Sequence, residues 1–129
     1  MANQITKHRK AAFDRQNGRC CYCGFLMWQD AAEPFAKSHR ISVAQARPFQ
    51  CTAEHLKARQ DGGSDGPRNI AAACIRCNRT RHKGKKTPEP MQYQELVQKR
   101  LDRGGWVSLP AKTTLKRSNP PDLARLFEL

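Results

Sequence analysis

Residues 52–86 have the sequence TAEHLKARQDGGSDGPRNIAAACIRCNRTRHKGKK, and this stretch decides the fold of the chain. It begins with an acid–histidine pair, Glu54 and His55, and continues through a glycine-rich loop to Asn69. The loop is dense in turn-forming residues, and short apolar segments flank it, so two strands that pair through the loop are predicted. A Cys-x-x-Cys motif with Asn78 directly after it follows, and a basic helix is expected to start at residue 77 or 78. The predicted fold is a small α+β domain.

Two Cys-x-x-Cys motifs predict a structural zinc site. Their cysteines are Cys20, Cys23, Cys74 and Cys77. A two-residue gap lets two thiolates bind one metal in a tight turn, and four thiolates complete a closed tetrahedral set. Because the motifs are far apart in the sequence, the zinc would tie the N-terminal segment to the segment before the helix. A redox or disulfide protein built on the same pairs is the alternative interpretation.

Composition favours a polyanionic partner and a small core. The 129 residues include 24 Lys and Arg against 11 Asp and Glu, which gives a net charge of +13. An excess of this size is typical of proteins that bind nucleic acid, although a solvated basic surface has the same composition. Only 38% of residues are hydrophobic, and a core this small usually needs a metal or disulfides to support it.

The sequence also predicts the domain organisation and the cellular location of the protein. We predict a zinc-stabilised domain at residues 1–88 and a C-terminal helix and tail at residues 89–129 that packs on this domain or on a partner. Helices are predicted at residues 5–16, 35–46 and 91–103, with an amphipathic turn near the C-terminus. The N-terminus lacks the apolar segment of a signal peptide, and no run is long enough to span a membrane. A cytoplasmic protein without membrane contact is expected.

These motifs, in this order, resemble those of the HNH nuclease family, whose fold is the ββα-metal (His-Me finger) fold. The resemblance covers about half of the chain. It implies that Glu54 binds a divalent cation and that His55 is the general base for the attack of water. It also implies that Asn69 braces the loop and orients the base, and that Asn78 is a second metal ligand. His82, four residues after Asn78, is interpreted as a further ligand, with a phosphate contact or a plain surface residue as the alternatives.

The chemistry of these residues suits a catalytic cation. Carboxylate and amide oxygens are ligands for Mg²⁺, and a histidine ligand would extend the choice to Mn²⁺ or Ni²⁺. The sequence departs from the family in having Glu54 where Asp is commoner and in lacking a proline shortly after His55. Neighbouring residues on a regular strand point to opposite faces, so the two side chains can share a site only if the strand twists or ends there.

A basic segment on and after the predicted helix is expected to hold phosphates. Its residues are Arg76, Arg79, Arg81, Lys83, Lys85 and Lys86. Such a helix can lie along a duplex groove and give affinity with little sequence choice. The sequence therefore predicts a phage or bacterial HNH endonuclease that hydrolyses double-stranded DNA, with a non-catalytic zinc-knuckle nucleic-acid-binding protein as the alternative. Oligomeric state, monomer or dimer, stays open.

Overall fold

The computed structural model describes residues 3–129. In chain order its elements are α1 (Gln4–Arg15), α2 (Ala32–His39), α3 (Val43–Ala46), a 3₁₀ turn (Arg47–Phe49), β1 (Cys51–His55), a second 3₁₀ turn (Arg59–Asp61), β2 (Ile70–Cys74), α4 (Ile75–Arg81), α5 (Pro90–Asp102) and α6 (Leu123–Phe127). This is a small α+β structure in which two strands and the helix after them form a ββα core.

The two strands form an antiparallel pair that runs from Cys51 opposite Cys74 to His55 opposite Ile70. Every residue of β2 is buried, because α1 packs against it and the small side chains of its three alanines allow a close approach. Gln16, just after α1, donates to the Ala72 carbonyl at 2.8 Å and accepts from the Ala72 N–H at 2.9 Å. Its amide therefore satisfies the outer edge of β2 much as a third strand would.

Helix α4 starts directly at the end of β2, two or three residues earlier than the sequence predicted. Cys74 is its N-cap, and the Cys74 sulfur accepts a hydrogen bond from the Cys77 N–H at 3.4 Å. The thiolate thus caps the helix, a role that side-chain oxygens of Ser or Asp usually have. His82 lies at the C-cap, just beyond the last helical residue.

The predicted helix at residues 35–46 is wrong, because the segment contains two helices. Arg40 adopts a left-handed conformation with φ 56° and ends α2. Ser42 then starts α3 with a capping box, in which its side chain accepts from the Gln45 N–H while the Gln45 side chain accepts from the Ser42 N–H. This reciprocal cap makes a new start more stable than continuation of α2.

Residues from α5 and the C-terminal tail lie in the same hydrophobic cluster as the ββα core. These residues are Tyr93, Val97, Trp106, Leu115, Leu123 and Phe127. The Tyr93 hydroxyl donates to the Cys77 carbonyl at 2.7 Å and so joins α5 to α4. None of the helices within residues 3–129 is long and apolar enough to cross a membrane.

Candidate functional site

Four cysteines form a group that fits one zinc ion. Their sulfur atoms lie within 4.8 Å of one another, and all four residues are buried. With Zn–S bonds of about 2.3 Å, sulfur atoms in a tetrahedral site are about 3.8 Å apart, and the Cys23 and Cys74 sulfurs are separated by 3.9 Å. The members are Cys20, Cys23, Cys74 and Cys77.

Donors around the cluster also suit thiolates. The N–H groups of Tyr22 and Cys74 donate to the Cys20 sulfur at 3.4 and 3.3 Å, and the Trp106 indole donates to the Cys77 sulfur at 3.3 Å. Such bonds stabilise negative sulfur, the form that binds a metal. Cys21 is buried beside the cluster but is not one of its members.

A second group lies where β1 ends next to the C-terminus of α4. Glu54 is fully buried, and its Oε1 is 2.7 Å from His82 Nε2. Its other oxygen, Oε2, accepts from Arg81 at 3.3 Å. Folding thus brings into contact a carboxylate and an imidazole that are 28 residues apart. Carboxylate and imidazole groups are both able to bind divalent cations.

Asn78 lies one helical turn before His82, and β1 fixes the orientation of its amide. Its Nδ2 donates to the Thr52 hydroxyl and to the Ala53 carbonyl, both at 3.0 Å. The Thr52 hydroxyl donates its own proton to the Ala73 carbonyl at 2.7 Å, so it acts as an acceptor toward Asn78. Because Nδ2 already donates to two acceptors, Oδ1 is the atom of the Asn78 side chain that could bind a metal. The side-chain bonds of Asn78 found in residues 3–129 run to β1, and none joins its amide to the side chain of Glu54 or His82.

His55 is the last residue of β1, and its side chain contacts a different set of residues from that of Glu54. Its Nε2 is 2.8 Å from Asp65 Oδ1, and Arg59 Nη2 is 3.2 Å from the same oxygen. The hydrogen bond with His55 holds the pKa of Asp65 below its usual range, and Arg59 adds to this effect. The ring itself is 15% exposed, so it can be reached by solvent.

Asn69 braces the loop that carries Asp65. Its Oδ1 accepts from the Lys57 N–H at 2.8 Å, and its Nδ2 donates to the carbonyls of Lys57 and Ser64 at 3.0 and 2.7 Å. Gly63 lies so close to the Lys57 carbonyl that a Cβ at this position would overlap it. The loop is therefore held tightly, and Asn69 is bonded to the main chain of Ser64, the residue before Asp65.

The basic residues expected to hold phosphates divide into two groups. Five of them are exposed on α4 and in the segment after it: Arg76, Arg79, Lys83, Lys85 and Lys86. Arg81 is buried, and its five N–H groups all donate to oxygen atoms of the protein. A signal for this difference is present in the sequence, because Arg81 is four residues after the zinc-cluster residue Cys77 and so lies on the same inner face of the helix.

Sequence reasoning missed Asp65 and Tyr22. Asp65 lies among turn-forming residues, where an acid carries no periodic signal. Tyr22 lies inside the first Cys-x-x-Cys motif and is fully buried, and its hydroxyl has no hydrogen-bond partner within the described part of the chain. Burial, with the negative charges of Cys21 and Glu54, raises the pKa of Tyr22 well above its ordinary value.

Comparison with known proteins identifies the family. The model of the HNH endonuclease family matches residues 20–84, just over half of the chain. No curated protein and no solved structure matched. The matched segment includes both Cys-x-x-Cys motifs, both strands and α4. The chain therefore belongs to the HNH endonuclease family, whose domain implies nucleic-acid binding, and its four-cysteine cluster fits the zinc-containing subtype.

Proposed function

We propose that this protein is an endonuclease that hydrolyses DNA phosphodiester bonds with one divalent cation and with His55 as the general base. The observation that carries the proposal is the 2.7 Å contact between Glu54 and His82, made beside His55 at the end of β1. A carboxylate and an imidazole that meet in this way next to a candidate base are what a hydrolytic metal site requires.

Glu54, His82 and Asn78 are the residues that would hold the cation. The carboxylate and the amide oxygen suit Mg²⁺, and the imidazole suits Mn²⁺ or Ni²⁺ as well. When bound, the cation would supply positive charge to the scissile phosphate and to the leaving oxygen. The protein's part is to bring the ligand atoms together, and the hydrogen bonds from Asn78 to β1 support this placement.

His55 would take the proton of the attacking water at Nδ1. The Asp65 carboxylate can only accept a hydrogen bond, so its 2.8 Å contact supports a tautomer with the ring proton on Nε2, in competition with the Arg59 Nε–H group 3.3 Å from the same nitrogen. Nδ1 then carries the lone pair that a general base needs. Asp65 would hold the ring in this tautomer, and Arg59 Nη2 donates to the same Asp65 oxygen at 3.2 Å.

The exposed basic residues would hold the DNA backbone. They lie on α4 and just after it: Arg76, Arg79, Lys83, Lys85 and Lys86. Contacts of this kind are made to phosphates and release counterions, so DNA affinity should fall steeply with salt. An affinity that did not depend on salt would exclude this surface as the phosphate-binding one.

Cleavage of supercoiled and linear DNA in Mg²⁺, Mn²⁺ and Ni²⁺ tests the proposal. We expect His55→Ala to lower kcat by about 10²–10⁴-fold, the usual contribution of a general base, and to leave DNA affinity unchanged. Asp65→Ala should have a smaller effect on kcat, since the base remains and only its orientation is lost. Undiminished cutting by His55→Ala would exclude His55 as the base.

A nucleic-acid-binding protein without catalysis is the second candidate, and one observation favours it. Both oxygens of Glu54 already have partners, Arg81 and His82, so the carboxylate is satisfied without a cation. The cleavage assay separates the two functions. Salt-sensitive DNA binding by wild-type protein that cuts with none of the three cations would establish the second candidate.

A further inference from the structure

Arg81 is bonded to the protein through its whole guanidinium group. Its side chain is 2% exposed. Nε and Nη2 donate to the Pro88 carbonyl at 3.0 and 2.8 Å, and Nη2 also donates to the Leu56 carbonyl at 2.7 Å. Nη1 donates to the His55 carbonyl at 2.9 Å and to Glu54 Oε2 at 3.3 Å. The five N–H groups of an arginine are thereby used, and none is left for a phosphate.

The four acceptor oxygens come from two parts of the chain. Three belong to consecutive residues at the end of β1, from Glu54 to Leu56, and the fourth is the Pro88 carbonyl beyond α4. A strand end without such bonds is a region where the chain opens locally. Arg81 therefore ties the end of β1, where the candidate base lies, to α4 and to the segment that leads into α5.

Because Arg81 bonds to only one oxygen of the buried Glu54 carboxylate, the two oxygens have different partners. A charge that is removed from water needs a partner, and Arg81 provides it at Oε2. Oε1 is then left facing His82 Nε2 at 2.7 Å. The guanidinium thus determines which oxygen of Glu54 is presented where a cation would bind.

We infer that Arg81 is a positioning residue of the nuclease site, which holds the Glu54 carboxylate and the main chain of His55 in the geometry that binds the cation and presents the base. The inference rests on the proposed function. It gives Arg81 a role that differs from that of its exposed neighbours on α4, because Arg81 acts through Glu54 and His55 and does not contact DNA.

Arg81→Lys tests this role in the full-length, zinc-loaded protein. Lysine keeps the positive charge, but its single nitrogen cannot replace the five N–H groups of the planar guanidinium at four acceptor oxygens. Loss of an outer partner of a metal ligand typically lowers metal affinity or activity by about 10–100-fold. We expect a fall in kcat and a rise in the half-saturating Mn²⁺ concentration of that size, with KM for DNA unchanged. A phosphate contact would instead weaken DNA binding and reduce the salt slope by about 1, and that result would overturn the inference.

Arg19→Lys is the matched control. Arg19 is a half-buried arginine that, like Arg81, donates to main-chain carbonyls, those of Gly24 and Lys116 at 2.9 and 3.3 Å. Its loss should leave the half-saturating Mn²⁺ concentration unchanged. Equal effects of the two substitutions on kcat and on the Mn²⁺ requirement would show that Arg81 is merely structural.

Folding is checked by circular dichroism and zinc content, with Arg81→Gln as a second variant. If neither variant folds, Arg81 is a purely structural residue and the inference is overturned.

If wild-type protein cuts DNA and Arg81→Lys keeps the wild-type Mn²⁺ dependence, the inference fails and the proposed function stands. If wild-type protein does not cut DNA, the proposed function fails. Mn²⁺ binding followed by electron paramagnetic resonance then decides the role of Arg81, and an unchanged Kd in Arg81→Lys would overturn it.

Discussion

The buried contact between Glu54 and Arg81 allows the size of a mutational effect to be worked out. Glu54 is 0% exposed and the Arg81 side chain 2%, and their closest atoms are 3.3 Å apart. Glu54→Ala would leave the guanidinium buried without its counterion, and breaking a buried pair in this way costs about 3–5 kcal/mol. Arg81 keeps its bonds to carbonyl oxygens, and the contact is longer than the roughly 2.7–2.9 Å of a strong charged hydrogen bond. We therefore expect the lower end of this range: Glu54→Ala should reduce the free energy of unfolding by about 3 kcal/mol.

A double-mutant cycle measures the interaction energy between Glu54 and Arg81 apart from the contacts that each makes with other residues. Arg81→Met leaves Glu54 without its arginine partner but still in contact with His82, and the double variant Glu54→Ala/Arg81→Met removes both charges. The double variant should lose less stability than the sum of the single losses, with a coupling energy of about 0.5–3 kcal/mol. Urea unfolding in excess zinc, followed by circular dichroism, measures these values. Glu33→Ala, at an exposed acid of α2, is the control and should change stability by less than about 0.5 kcal/mol.

Two results would refute the reasoning. A Glu54→Ala variant within about 1 kcal/mol of wild type would be inconsistent with a carboxylate that is desolvated and paired. Additive losses in the cycle would mean that the carboxylate and the guanidinium do not interact in the folded protein.

Three other perturbations address the zinc, the loop and a buried thiol. Cys77→Ser removes one of the four thiolates. The variant should therefore purify with much less than one zinc per chain and should lose its cooperative unfolding transition in calorimetry. A variant that retained its zinc would contradict the four-cysteine assignment. Gly63→Ala forces a Cβ into the Lys57 carbonyl, so DNA cleavage should fall while zinc content stays at the wild-type value, and unchanged cleavage would show that the loop adapts. Burial raises the pKa of Cys51 from 9.0 to about 12, so the stability from its neutral thiol is present in full below pH 9 and is lost as the pH rises toward 12. Between about pH 8 and about pH 10 the unfolding free energy of wild type should fall faster than that of Cys51→Ala, by up to about 1.4 kcal/mol per pH unit, and parallel profiles would refute this.

The order of the motifs and the turn-forming residues predicted most elements of the ββα core. The predicted strands on either side of the loop correspond to β1 and β2, and the four predicted zinc ligands form one cluster. Helices predicted at residues 5–16 and 91–103 lie within one residue of Gln4–Arg15 and Pro90–Asp102. These features depend on neighbours in the sequence and on short spacings, which a sequence displays directly. The break between α2 and α3 was missed although the Ser42–Gln45 capping box is visible in the sequence.

The sequence by itself determined the family, the zinc ligands and the residue types at the site. Only the tertiary structure decided which partner each charged group has. Arg81 stands among exposed arginines and lysines, yet it is the one that folding turns toward Glu54 and the end of β1. Likewise, Glu54 and His55 are neighbours that face His82 and Asp65 respectively. Hydrogen bonds and ion pairs act over only a few ångströms. Residues ten to thirty apart in the sequence therefore acquire their partners only when the chain has folded.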